Sequence, residues 1–418
     1  MSSAGWAAPV PVTSGQAAIW LAEQAGELGP AYHTCTVLRV HAGPGLDRLA
    51  AACREVVRRT AALRVRMEPD PATGEIGQWF SADPPEVTTG VAEAGVDPVT
   101  AAVVRPFQVD GGPLVRFAVL DRGAHQEIVL VAHHLVLDGA CQLPLARRIG
   151  DCAGDGCPDQ PESAYTGLVR VVRERERQAL AGGAAFWQAR LPDRYPEPFP
   201  ERASGGTGPA PALGRVRVDR CLLAAVERTA AALGARPFHL LAAAIHRVLS
   251  GHLRPPPVMS VAASVRPREP AAAAIAGGFV TQVPLLVAER PAEPFAGLVR
   301  RCAPEWRAAL RHRDFPFPEL SAMARRRAGQ PGASLNRVML TYRQVPETVS
   351  WRAGGTRFVA DPHRPYLRAK TDVSFRLLHH RDQLDCQVEL SQRAATRLAA
   401  SDLAAELVAR LRAEVPAW

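Results

Sequence analysis

At 418 residues the chain exceeds one ordinary domain, and two lobes of roughly 200 residues each are expected. Its 47% apolar and 22% charged residues fit a folded, water-soluble protein, and no run approaches the ~20 consecutive apolar residues that span a bilayer. The net charge of +9 rests on dispersed arginines, Lys370 being the only lysine, so nucleic acid ranks behind a solvated face or a docking surface for an acidic protein, with Arg325, Arg326 and Arg327 the one dense run.

The opening MSSAGWAAPVPVTSGQ has neither a basic region nor an apolar region of a secretory signal, so a cytoplasmic protein is expected. In PVTSGQAAIWLAEQAG a helix starts behind a cap at Thr13 or Ser14. TCTVLRVHA reads as a strand. LDRLAAACREVVRRT puts Leu46, Leu49, Cys53, Val56 and Val57 on one helical face. ALRVRMEPD alternates like a half-buried strand, and GPLVRFAVLDRGAHQEIVLVAHH reads as two strands around a turn at Asp121-Arg122-Gly123. Helices are expected in ACQLPLARRIGDCAG, despite Pro144, and around GLVRVVRERERQALAGGAAFWQARL.

Residues 191–214 are rich in proline and glycine without hydrophobic period, so they are expected to link a lobe of residues 1–190 to one of residues 215–418. SGGTGPAP within them faintly resembles a phosphate loop, but no lysine follows it. Beyond the linker come helices in CLLAAVERTAAALG and PFHLLAAAIHRVLSGH, then the strands PVMSVAASV and FVTQVPLLV. The helix PFAGLVRRCAPEWRAALRHR contains Pro304. The strand RVMLTYRQV, a hairpin in DVSFRLLHHRDQLDCQVEL and a helix in AATRLAASDLAAELVARLRA close the chain. Both halves mix helices and strands, an α/β (α+β) pattern. The eight cysteines are scattered without a C-x-x-C pair or zinc-like spacing, so neither disulfide nor metal is expected.

EIVLVAHHLVLDG, residues 127–139, is the stretch with chemical content. Strand alternation points His133 and His134 in opposite directions, which excludes a joint metal site. One ring can pack inward while the other faces a cleft as a general base near neutral pH. Asp138 can orient a histidine or pair with a distant arginine, and Gly139 leaves space. On spacing alone, packing competes with catalysis. His379-His380, followed by Arg381-Asp382 at a hairpin tip, reads as structural or solvent-exposed.

HHLVLDG fits the HHxxxDG signature, and the chain resembles the condensation domains of non-ribosomal peptide synthetases, of the chloramphenicol-acetyltransferase-like fold. Further segments match in order: PVTSGQAAIWLAEQ, GPLVRFAVL, GGFVTQVPLLV, RDFPFPEL, RVMLTYRQ and KTDVSF. The resemblance implies two acetyltransferase-like lobes in a V with a central substrate tunnel. It implies that acyl or peptidyl carrier proteins deliver thioesters on phosphopantetheine arms, or coenzyme A does, to an amine or alcohol acceptor, with no bound cofactor. His134 is then the general base or positioning histidine. His133 packs, Asp138 is structural with Arg266 as its partner, and Gly139 maintains space. Ala140, Cys141, Thr281, Gln282, Thr341, Gln344 and Ser374 are expected along the tunnel. Ala140-Cys141 replaces the family's usual Trp-Ser, Thr281 its asparagine, and A-S-V-R its A-G-R, which leaves substrate type open; Cys141 reads as packing rather than as a nucleophile. Met1, the short tail and the lack of carrier and adenylation motifs lead to the expectation of a free-standing, monomeric condensation enzyme. An ester-forming acyltransferase and a non-catalytic carrier-binding module are the alternatives.

Overall fold

The computed structural model describes residues 9–26, 29–91, 97–154, 156–200, 212–288, 290, 292–330, 332–345, 349–361 and 370–416. In chain order the first elements are β1 (Val10–Pro11), α1 (Ser14–Gln24), β2 (His33–His41), α2 (Leu46–Arg58), β3 (Val65–Pro69), β4 (Ile76–Phe80) and β5 (Glu86–Val91). Next come α3 (Pro98–Val104), β6 (Val115–Asp121), β7 (Gln126–His133), α4 (Gln142–Ala153), α5 (Glu162–Gly182) and α6 (Ala184–Gln188). Then follow β8 (Ala212–Val218), α7 (Arg220–Ala232), α8 (Pro237–His252), β9 (Met259–Ser264), α9 (Pro270–Ala274) and β10 (Val280–Leu285). The remainder is α10 (Phe295–Arg311), α11 (Phe317–Ala328), β11 (Val338–Gln344), β12 (Val349–Ala353), β13 (Thr356–Asp361), β14 (Val373–His379), β15 (Leu384–Leu390) and α12 (Ala400–Glu414).

Two compact units form, and they interleave in sequence. One comprises Met1–Arg175, Val265–Val280 and Thr348–Leu367; the other comprises Glu176–Ser264, Thr281–Glu347 and Arg368–Trp418. The expected lobes, 1–190 and 215–418, are contiguous and lack this interleaving. Its physical reason is strand pairing: β13 runs antiparallel to β2 and carries β12 with it, so late residues satisfy an early strand's backbone groups. Of the expected linker, residues 201–211, including SGGTGPAP, lie outside the described residues, whereas residues 212–214 already belong to β8.

The first unit holds a six-stranded mixed sheet, β12-β13-β2-β7-β6-β5, and a small sheet, β1-β4-β3. α2 and α4 cover one face of the large sheet, burying Leu49, Cys53, Val56, Leu145 and Ile149 against Leu38, Ile128 and Leu130. α3 covers the other face over Val37, Val129 and Val131. β7 is therefore buried on both faces, which is why it reads as an unbroken apolar run instead of an alternating one. Pro144 is tolerated because it sits in the first turn of α4, where no intrahelical bond needs its amide. Thr13 caps α1 in a capping box: its hydroxyl accepts from Gln16 N at 3.3 Å and its own amide donates to Gln16 Oε1 at 3.0 Å.

The second unit holds the sheet β10-β9-β11-β14-β15-β8, parallel at β9-β11-β14 and antiparallel at β14-β15-β8. α8, α10 and α12 bury Leu241, Ile245, Val299, Leu403 and Leu407 against Val338, Leu340, Phe375 and Leu377.

The expectation of no disulfide is corrected. Cys152, in the last turn of α4, is joined to Cys157 with their Cα atoms 5.0 Å apart, because the chain doubles back as the helix ends. Among the described residues no helix is long and apolar enough to cross a membrane.

Candidate active site

β7 ends at His133, and period-two alternation places that ring on the α3 face with Val129 and Val131. It is fully buried, opposite His33 of β2 in register, with ring centroids 5.8 Å apart. Phe107 and Tyr32 complete the packing. His33 donates from Nδ1 to Val103 O at 2.6 Å, and burial above all pushes its pKa down to about 4. Burial, aided by the Glu23 carboxylate, pushes the Tyr32 phenol up to about 12. Both therefore stay neutral around pH 7.

His134 begins the turn beyond the strand and is half-buried. Its amide donates to Tyr32 O at 2.8 Å, and its ring meets Tyr32 edge-on at 6.1 Å. The turn closes through Val136 N and Leu137 N donating to His133 O, at 3.0 and 3.2 Å. Behind it, Gln16 Nε2 donates to Leu135 O at 3.0 Å, within a buried network that includes Gln78 and Tyr165.

Asp138 fixes the far end of the loop. One carboxylate oxygen accepts from Ala140 N at 3.0 Å; the other accepts from Phe279 N at 2.9 Å and from Arg266 Nη1 at 2.5 Å. Arg266 also donates to Gly277 O at 2.8 Å and to Cys141 Sγ at 2.9 Å. Both partners are buried, and losing one member of such a pair typically costs about 3–5 kcal/mol. Burial, reinforced by Asp138, raises the Cys141 thiol to about 12, so it is protonated at neutral pH. Gln160 clamps the segment preceding Gly277, donating to Ala274 O at 2.7 Å and accepting from Ala276 N at 3.0 Å.

The structure thus brings His133, His134, Asp138, Gly139, Ala140, Cys141 and Arg266 together in the first unit. The remaining sites named from sequence lie in the second unit. Thr341 and Ser374 share the sheet face away from the Val338–Leu340 core, because Ser374 pairs with Met339 and Thr341 with Arg376. Gln344 pairs with His379 and belongs to the opposite face. Thr281 and Gln282 are consecutive on β10 and half-buried, so alternation turns them apart. His379 and His380 are buried, not solvent-exposed: His379 Nδ1 lies 2.5 Å from Tyr342 Oη, and His380 Nε2 lies 3.4 Å from Asp385.

Sequence reasoning missed three contributors. Glu23 and Gln16 sit on α1, more than 100 residues before the histidine loop: Glu23 Oε1 lies 3.4 Å from His133 Nε2, and Gln16 bonds Leu135 O. Gly278 is the third: a Cβ there would lie 2.4 Å from His134 O and 2.7 Å from Leu135 O. Only the adjacent glycines of GGFVTQ gave a visible signal.

Residues 7–390 match the condensation-domain family. The chain belongs to that family. Condensation domains are acyltransferases that form amide bonds from carrier-bound substrates. Among curated relatives, fumosorinone synthetase of Cordyceps fumosorosea is 28% identical over 80% of the chain, and tyrocidine synthase 3 of Brevibacillus parabrevis is 25% identical over 75%. The chain spans only 8% and 5% of those two proteins. In fold, this condensation domain is similar to the first condensation domain of the calcium-dependent antibiotic synthetase, solved with a substrate analogue (TM-score 0.73, 20% identity, 98% of each chain). It is similar too to the X-domain of teicoplanin biosynthesis in complex with OxyB (TM-score 0.77, 19% identity, 98% of this chain and 94% of that one).

Proposed function

We propose that this condensation domain joins a carrier-bound acyl or aminoacyl thioester to an amine, with His134 as the base. The observation that carries this is the complete HHLVLDG loop, pinned at Asp138 by three hydrogen bonds and opening on a half-buried His134. The amine nitrogen attacks the thioester carbonyl carbon, the C–N bond forms and the C–S bond breaks. His134 accepts the proton lost by nitrogen and returns it to the departing thiolate of the phosphopantetheine arm. A thioester is already activated, so most of the acceleration comes from holding two substrates in register, with the base adding about 10²–10⁴-fold.

The likeness in fold to a solved condensation domain covers 98% of each chain, so the proposed chemistry is tested on these 418 residues with carriers supplied separately. The test loads one carrier with one donor and offers amine and alcohol acceptors in parallel, with products read by intact mass spectrometry. Amide as the main product supports the proposal. Ester as the main product assigns the alcohol-acceptor alternative. Carrier binding without turnover on any donor assigns a recruitment role, the reading favoured by the likeness to an X-domain found in complex with OxyB.

A further inference from the structure

Glu23 is poorly explained by its own helix. It lies in the last turn of α1, where the helix dipole disfavours an acid, and its side chain is only 11% exposed. Among the described residues its buried Oε1 accepts no conventional hydrogen bond, yet it stands 3.4 Å from Nε2 of His133. The other nitrogen of that ring, Nδ1, accepts from Leu135 N at 3.2 Å. A neutral imidazole that accepts at Nδ1 must carry its proton on Nε2, the atom facing the carboxylate. Of the titratable neighbours, His33 and Tyr32 are held neutral, and the Arg116 cation donates to three backbone carbonyls.

Leu135 is the next residue after His134. Its N–H is bound by His133, and its C=O by Gln16. The orientation of the buried first histidine therefore reaches the second through one amide of the turn.

We infer that Glu23 is a positioning residue: its carboxylate holds His133 in the Nε2–H tautomer, whose Nδ1 binds the Leu135 amide and sets the turn from which His134 is presented. The role rests on the assignment of His134 as the base, and it gives His133 a task beyond packing. Glu23 touches no substrate.

The test combines ¹⁵N NMR of histidine-labelled protein with steady-state kinetics on the wild type, Glu23→Gln and Glu23→Leu. In the wild type, His133 is expected with Nδ1 unprotonated and Nε2 protonated; the opposite tautomer overturns the proposal without any variant. Glu23→Leu is expected to shift that tautomer and lower kcat about 100-fold with donor and acceptor KM within twofold, the scale of a misplaced catalytic group. Glu23→Gln keeps an acceptor oxygen and is expected to recover kcat to within about fivefold of wild type, a small part of the base's 10²–10⁴-fold contribution. A folded Glu23→Leu protein with wild-type tautomer and kcat contradicts the inference. If the tautomer shifts as expected but His134→Ala keeps full turnover, the assignment of His134 fails while the contact between Glu23 and His133 stands.

Discussion

Asp138 and His134 sit four residues apart and do different work. Asp138 spends its carboxylate on Ala140 N, Phe279 N and Arg266, all internal partners. Asp138→Ala leaves a buried guanidinium without its anion, so the expected loss is about 3–5 kcal/mol of stability, measured by urea denaturation; a variant that unfolds like wild type would refute the anchoring role. Cys141 lies beside that pair with its thiol raised to about 12, whereas Cys221 is exposed. Iodoacetamide at pH 7.5 is expected to label Cys221 and spare Cys141 in a peptide map, with turnover unaffected by Cys141→Ser; selective loss of activity on Cys141 labelling would mark it as a participant. The motif made these residue types legible in the sequence. The resemblance also gave Arg266, 128 residues after Asp138, as its partner; the approach of Glu23, 110 residues before His133, was not legible, because no local pattern joins α1 to the end of β7.

At the level of elements, the apolar run of β7, the capped start of α1 and the β6–β7 and β14–β15 hairpins were legible because period, cap and turn chemistry are local. α3, β4, β5, β12 and β13 went unread: they are short, and their stability comes from partners distant in sequence. β13 pairs with β2 across some 300 residues, a contact no local pattern encodes. Gly278 belongs to this class, since only the folded segment puts it against the carbonyls of His134 and Leu135. Gly278→Ala must displace that turn or itself, at a cost of about 1–3 kcal/mol. The expectation is a lowered Tm and a kcat reduced more than KM is raised, while Gly123→Ala, in the open turn after β6, leaves kcat unchanged. Equal kcat for the two variants would detach Gly278 from the site.

For the whole molecule, each unit buries a histidine that folding keeps neutral. His33 in the first unit and His239 in the second both have pKa values lowered to about 4, chiefly by burial, with nearby arginines adding to the effect. The unfolded chain takes up these protons near pH 6.5, whereas the folded chain resists until about pH 4. Their contribution is therefore complete above pH 6.5 and is lost as the pH falls from there through 4. Tm should be flat between pH 7 and 8 and fall between pH 6.5 and 4. His239→Gln, which keeps an acceptor for Arg236 N, should flatten that decline. A slope identical to wild type would remove His239 from the account.

The two-lobe α/β class was legible from composition and alternation, but the interleaving of the units was not. It brings Val265–Val280, and with it Arg266, into the unit that carries the histidines. The site is thus assembled from segments far apart in the chain around a single half-buried imidazole. The most direct measurement compares wild type with His134→Ala on one carrier-loaded donor and one amine, following amide by intact mass spectrometry and Tm in parallel. With His134 as the base, at least about a 100-fold loss of amide formation is expected at unchanged Tm. Undiminished turnover by a normally folded His134→Ala protein would contradict it.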